Sequence, residues 1–154
     1  MTMMRPESVT RGKAGFTLIE LAVVIVILGV LAAFGVPRFI RSVERTNAVA
    51  AFDYLASIRS AQDRYRARYD TYAADVADLD IKASPPRYFA VPASFSPSRA
   101  GTTLRDSWSL RLVRTGSPAG YGAYSVAFNE DGFDPTGSTI AAEPANTDIN
   151  PIRK

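Results

Sequence analysis

Residues Phe16 to Val36 form a run of 21 residues in which Glu20 is the only charge. A helix of about 20 apolar residues crosses the hydrocarbon core of a bilayer. The run is therefore read as a helix that ends up in lipid or among other apolar helices. A carboxylate inside such a span costs several kcal/mol unless something compensates it. Glu20 is thus the residue that any account of this chain has to explain.

The flanks orient the span. Before it, Arg5, Arg11 and Lys13 stand against Glu7, a net of three minus one, or +2. A basic segment leading into a span stays in the cytoplasm by the positive-inside rule, which sends the C-terminal portion outward. With the whole chain at +3, the remainder is close to neutral and carries no nucleic-acid footprint in its charge. Three readings compete for the start. A secretory signal peptide has a shorter apolar stretch ending in a small-x-small cleavage site. An ordinary uncleaved anchor suits the hydropathy but leaves Glu20 unexplained. The third reading rests on the residues at the junction itself.

Beyond Pro37 the helical pattern continues. Phe52, Leu55, Ile58, Gln62, Tyr65, Tyr69, Tyr72, Val76 and Leu79 recur at three- and four-residue steps, one stripe of an amphipathic helix. Asp53, Arg59, Asp63, Arg64 and Arg66 occupy the other side, with Arg59 and Asp63 spaced to pair weakly. The two parts read as one helix of about sixty residues by this spacing. Pro37 cannot donate to its ladder, and Gly29 and Gly35 weaken it, so a kink or a locally melted stretch is expected there.

The rest is shorter-ranged. The Pro/Ser-rich segment 83–97 reads as a loop with a short strand around Tyr88 to Val91. Segments 108–112 and 124–128 read as half-buried strands joined by a hairpin loop over 115–122. Asn129-Glu130-Asp131-Gly132 is a turn signal, and 134–154 reads as irregular or disordered. The expected fold class is α+β: a long kinked N-terminal helix packed on a small antiparallel sheet of three to four strands. Residues 1–15 would be a cytoplasmic segment, 16–36 the transmembrane helix, and 37–154 the rest of the helix with a globular head and an irregular C-terminal tail.

The junction Lys13-Ala14-Gly15-Phe16-Thr17-Leu18-Ile19-Glu20 resembles the type IV prepilins and the pseudopilins of type II secretion. A short basic leader ends in Gly15, Phe16 follows, and Glu20 is fifth after the cut. The resemblance covers about the first fifty residues closely and the rest only in the order of elements. It implies that a prepilin peptidase cuts between Gly15 and Phe16 on the cytoplasmic face and that the new amine of Phe16 is methylated. It further implies an assembly platform and a homo-oligomeric helical filament built on the apolar helices. The precursor would sit in the bacterial inner membrane, and the product in a periplasmic or cell-surface fibre. Glu20 would pair with the Phe16 amine of a neighbouring subunit, a registration device that is costly alone and neutralised when partnered.

Other sites are thin. The chain has neither cysteine nor histidine, which excludes disulfides, thiolate–imidazole zinc sites and histidine-dependent triads. The strand region offers scattered Asp, Arg and Tyr without an acid/base cluster, so no enzyme and no cofactor are expected. Glu130, Asp131 and Asp134 around Gly132 could furnish oxygen ligands for calcium, although their spacing fits no EF-hand loop and a plain turn accounts for them. The Trp-Gly calcium loop usual near the C-terminus of major pseudopilins has no counterpart, nor do the paired cysteines of many adhesive pilins. Tyr65, Arg66, Arg68 and Tyr69 could grip nucleic acid by stacking and charge, but core packing and a solvated helix face explain them with less. The alternatives to a pilus-like subunit are a pseudopilin and an uncleaved, membrane-anchored binding module.

Overall fold

The computed structural model describes residues 15–117, 120–141 and 147–152. The chain divides into two compact units, residues 1–37 and 38–154. The described part of the first is the start of helix α1, Leu18–Tyr69. Every residue from 15 to 39 is exposed, so nothing among the described residues covers the apolar span. Helical conformation runs unbroken through Gly29, Gly35 and Pro37, and the melted stretch expected as one alternative does not occur. Pro37 still leaves the carbonyl of Ala33 without its usual donor.

In the second unit, α1 turns a buried face inward: Ala48, Ala51, Phe52, Tyr54, Leu55, Ile58 and Ala61, with Glu44 and Gln62 among them. The helix stops at Tyr69, short of the ten further residues that the periodicity allowed. Asp70 adopts a left-handed conformation (φ 57°), which an α-helix cannot continue. The chain then doubles back. The side-chain oxygen of buried Gln62 accepts the Ala73 N–H at 2.8 Å, and its amide donates to the Ala73 carbonyl at 3.3 Å. Tyr72 and Leu79 are therefore buried as loop residues, and Val76 opens a short 3₁₀ turn.

Four strands form an antiparallel meander in chain order: β1 Phe89–Ala90, β2 Ser109–Arg114, β3 Ser125–Asn129 and β4 Gly132–Phe133. Leu110 faces Phe128 and Leu112 faces Val126 across the central pair. The turn signal at 129–132 is realised through Gly132 at φ 117°, a conformation that favours glycine, and it delivers β4. Phe52 of α1 packs its ring against Phe128 at 5.7 Å and Phe133 at 5.1 Å. The only tryptophan, Trp108, is fully buried with Phe95 edge-on to it.

One sequence expectation needs correction here, and another is narrowed from irregular or disordered to irregular. Strand β3 is buried along Ser125, Val126, Ala127 and Phe128, not half-buried. The tail causes this. Ser138 accepts the Ala127 N–H at 2.8 Å, Thr139 exchanges hydrogen bonds with Ser125, and the N–H of Ile140 donates to the Ser125 carbonyl. The described parts of 134–154 are consequently ordered: Ile140 and Ile149 are both fully buried, the second on a 3₁₀ turn at Thr147–Ile149. Two isoleucines were too sparse a pattern to read as core.

Candidate functional site

Gly15 lies just outside α1 and is exposed, and Phe16 is 86% exposed. Thr17 caps the helix. Its carbonyl accepts the Leu21 N–H, and its hydroxyl accepts the Glu20 N–H at 3.2 Å. Glu20 answers from the third helical position: its Oε2 accepts the Thr17 N–H at 2.8 Å and the Thr17 hydroxyl at 2.9 Å. This is a capping box, in which a Thr and a Glu three residues later satisfy each other's backbone donors. The Thr-x-x-Glu spacing was visible in the sequence and went unread there. The carboxylate thus has local partners at one oxygen. It lies one turn from Phe16, at the positive end of the helix dipole.

A second constellation lies in the head, and the sequence reading missed it. Glu44 is fully buried on α1. Arg114, at the end of β2, donates from Nε to Glu44 Oε1 at 2.6 Å and from Nη2 to Oε2 at 2.9 Å. The Tyr124 hydroxyl donates to Oε1 at 2.8 Å, and the Asn47 amide to Oε2 at 3.3 Å. Arg114 Nη1 donates to the Thr115 carbonyl and, at 3.4 Å, to that of Tyr88. Burial by itself would raise the Glu44 pKa. The Arg114 and Tyr124 hydrogen bonds and the nearby positive charge outweigh it and hold the carboxyl below its ordinary value. The Tyr124 hydroxyl is pushed up, by burial first and by Glu44 second. The signal lay in the periodicity. Glu44 is four, seven and eleven residues from Ala48, Ala51 and Leu55, which places a charge on the apolar stripe. Arg114 follows Leu110 and Leu112 in step of two, which places it on the inward face of β2.

The acidic turn residues go to separate partners. Glu130 accepts the Ser98 hydroxyl at 3.0 Å and the Trp108 backbone N–H at 3.3 Å and pairs with Arg99 at 3.0 Å. Asp131 also meets Arg99, at 3.2 Å. Asp134 Oδ1 accepts the N–H groups of Thr136 and Gly137 and the Thr136 hydroxyl. Among the described residues no group of three or more acidic side chains is arranged to hold a metal. Arg59 donates to the Glu130 carbonyl at 3.0 Å, tying α1 to the turn rather than pairing with Asp63. Tyr65 and Tyr69 lie ring to ring at 4.5 Å, and Arg66 donates to the Tyr72 hydroxyl at 2.7 Å. Asp78 and Asp80 line the same shallow groove as Arg64, Tyr65, Arg68 and Tyr69. That mixture of charges is not the basic track a nucleic acid needs.

Comparison with known proteins agrees with the geometry at the N-terminal end. Residues 10–36 match the family described as the prokaryotic N-terminal methylation motif. The chain is 51% identical over 95 residues to the type IV narrow pilus major component PilA5 of Thermus thermophilus, covering 60% of this chain and 72% of that protein. It is 33% identical over 85 residues to the type II secretion system core protein G of Aeromonas hydrophila, covering 55% and 59%. With the type IV major pilin protein PilA of Myxococcus xanthus it shares 30% over 115 residues, covering 75% and 51%. The chain thus spans between about half and three-quarters of the lengths of these relatives. A methylation motif, an uncovered apolar helix with one carboxylate in its first turn, and an α+β head together assign it: the chain belongs to the family of type IV pilins and type II secretion pseudopilins.

Proposed function

We propose that this chain is a structural, non-catalytic subunit of a type IV pilus-like filament, made as a membrane-anchored precursor with residues 1–15 in the cytoplasm. A prepilin peptidase removes that leader after Gly15, and the freed Phe16 nitrogen is methylated. Residues 16–36 then leave lipid for a core of their own copies, and the head, residues 38–154, faces outward. Little hydrophobic energy separates lipid from a bundle of such helices, so packing and polar contacts decide the geometry. Gly29, Gly35 and Pro37 are where the helix bends to fit its neighbours.

The observation that carries this reading is Glu20. It is the only charge in a span that the described residues leave uncovered. In the lone subunit its carboxylate rests in the capping box, with no cation beside it among the described residues. A neighbour's Phe16 ammonium gives it a charge-assisted bond, stronger than the neutral donors of Thr17. Thr17 therefore holds the carboxylate in place until that exchange.

A second reading within the family is a pseudopilin of a type II secretion system, favoured by the match to core protein G of Aeromonas hydrophila. Both readings share the processing step. The intact mass of the mature protein tests it: a chain starting at Phe16 with one added methyl group is expected. Retention of residues 1–15 refutes the cleaved-subunit reading in favour of an uncleaved anchored module.

A further inference from the structure

Just past the apolar span, α1 carries Arg38, Arg41 and Arg45, all exposed. At about 100° per residue they fall within about 60° of one another, in one stripe. The only acid in this stretch, Glu44, is buried and paired with Arg114. The next acid on the helix is Asp53, so no exposed carboxylate on α1 offsets the stripe over its length. Arg41 reaches Asp148 at 3.3 Å on the surface. Arg38 and Arg45 make no ion pair among the described residues.

The length of the span sets where these arginines lie. If the precursor is anchored as proposed above, on which this inference rests, the hydrocarbon ends near Val36. Counting about 1.5 Å per residue, Arg38, Arg41 and Arg45 follow at about 3, 8 and 14 Å. The headgroup layer is about 5–8 Å deep on each side. Helical side chains tilt toward the N-terminus, here back toward the membrane. A long arginine stem covers the remaining gap for Arg45. Guanidinium also suits phosphate, which it binds through two parallel N–H groups. Lysine and arginine are equally numerous on the two flanks, with Arg5, Arg11 and Lys13 before the span and these three after it. The equal flanks give no charge bias, so the outward placement of these arginines rests on the proposed cytoplasmic cleavage at Gly15.

We propose that Arg38, Arg41 and Arg45 form a collar that binds the phosphates of anionic glycerophospholipids in the outward-facing leaflet. The collar sets the depth at which the head stands above the membrane. It is released when the subunit leaves lipid for the filament.

The test uses the full-length chain in nanodiscs of phosphatidylcholine containing a minor fraction of phosphatidylglycerol. Native mass spectrometry counts the lipids retained on the protein after the disc is stripped. The wild type is expected to retain phosphatidylglycerol over phosphatidylcholine, less so in high salt. The Arg38→Gln/Arg45→Gln variant, which spares the Arg41–Asp148 pair, is expected to lose about fivefold of that preference per arginine. The control Arg64→Gln/Arg68→Gln, at the far end of α1, is expected to keep it. An unchanged preference in the collar variant overturns the collar, as does an equal loss in the control. Protease protection of residues 16–36 in the same discs separates the two claims. An inserted chain without lipid preference sinks the collar alone, whereas a chain that does not insert sinks the anchored precursor and the collar with it.

Discussion

Replacing Arg114 by methionine removes the guanidinium while keeping most of the volume. Glu44 is then left in a site where its side chain is 0% exposed, with only the Tyr124 hydroxyl and the Asn47 amide as donors. Breaking a buried pair from one side costs about 3–5 kcal/mol. The two surviving donors keep the expected loss near the lower end, about 3 kcal/mol. For a head of this size about 1 kcal/mol moves the midpoint by about 3–5 °C, so a drop of about 10–15 °C is expected. Glu44→Leu alone should cost a similar amount, because it strands Arg114. The double variant should cost only about 1–2 kcal/mol, chiefly the Tyr124 hydroxyl left without its acceptor. Thermal unfolding of the full chain in detergent micelles, followed by the fluorescence of the single buried tryptophan Trp108, reads the head directly. If the double variant loses the sum of the two single losses, the pair is not coupled and the argument fails. The same melt has a pH arm. The Glu44 pKa is lower in the fold than its ordinary 4.5, so its contribution is complete above that value and is lost as pH falls from there through the folded pKa. The Glu44→Leu/Arg114→Met double variant should show a smaller loss over that acid window.

Two further outcomes are expected. Glu20→Ala should leave leader removal largely intact by mass but impair fibre formation, scored as sheared filament; normal fibres would show that the carboxylate does not register the subunits. Ile149→Ala should lower the Trp108 midpoint by the equivalent of about 2–5 kcal/mol and speed proteolysis of the tail after residue 141, whereas unchanged proteolysis would mean that Ile149 does not hold the tail to the head.

Much of this protein is local physics and was legible as such. A 21-residue apolar run is a helix wherever it goes, because nothing else pairs its backbone in an apolar medium. The Thr17–Glu20 helix start, the two central strands and the hairpin between them each depend on neighbours a few residues away. Tertiary structure decided the rest. Helix α1 ends at Tyr69 because Asp70 turns left-handed and Gln62 holds Ala73, although the apolar spacing ran on to Leu79. The described tail residues are held because Ile140 and Ile149 join the core and Ser138 and Thr139 bond to the stretch of β3 that β4 leaves unpaired. Glu44 and Arg114 stand 70 residues apart in the chain. Each showed in its own element as a charge on an apolar face, but a charge on a core face states only that a partner is needed. Which partner answers depends on how helix and sheet stack, and that is a property of the folded chain alone.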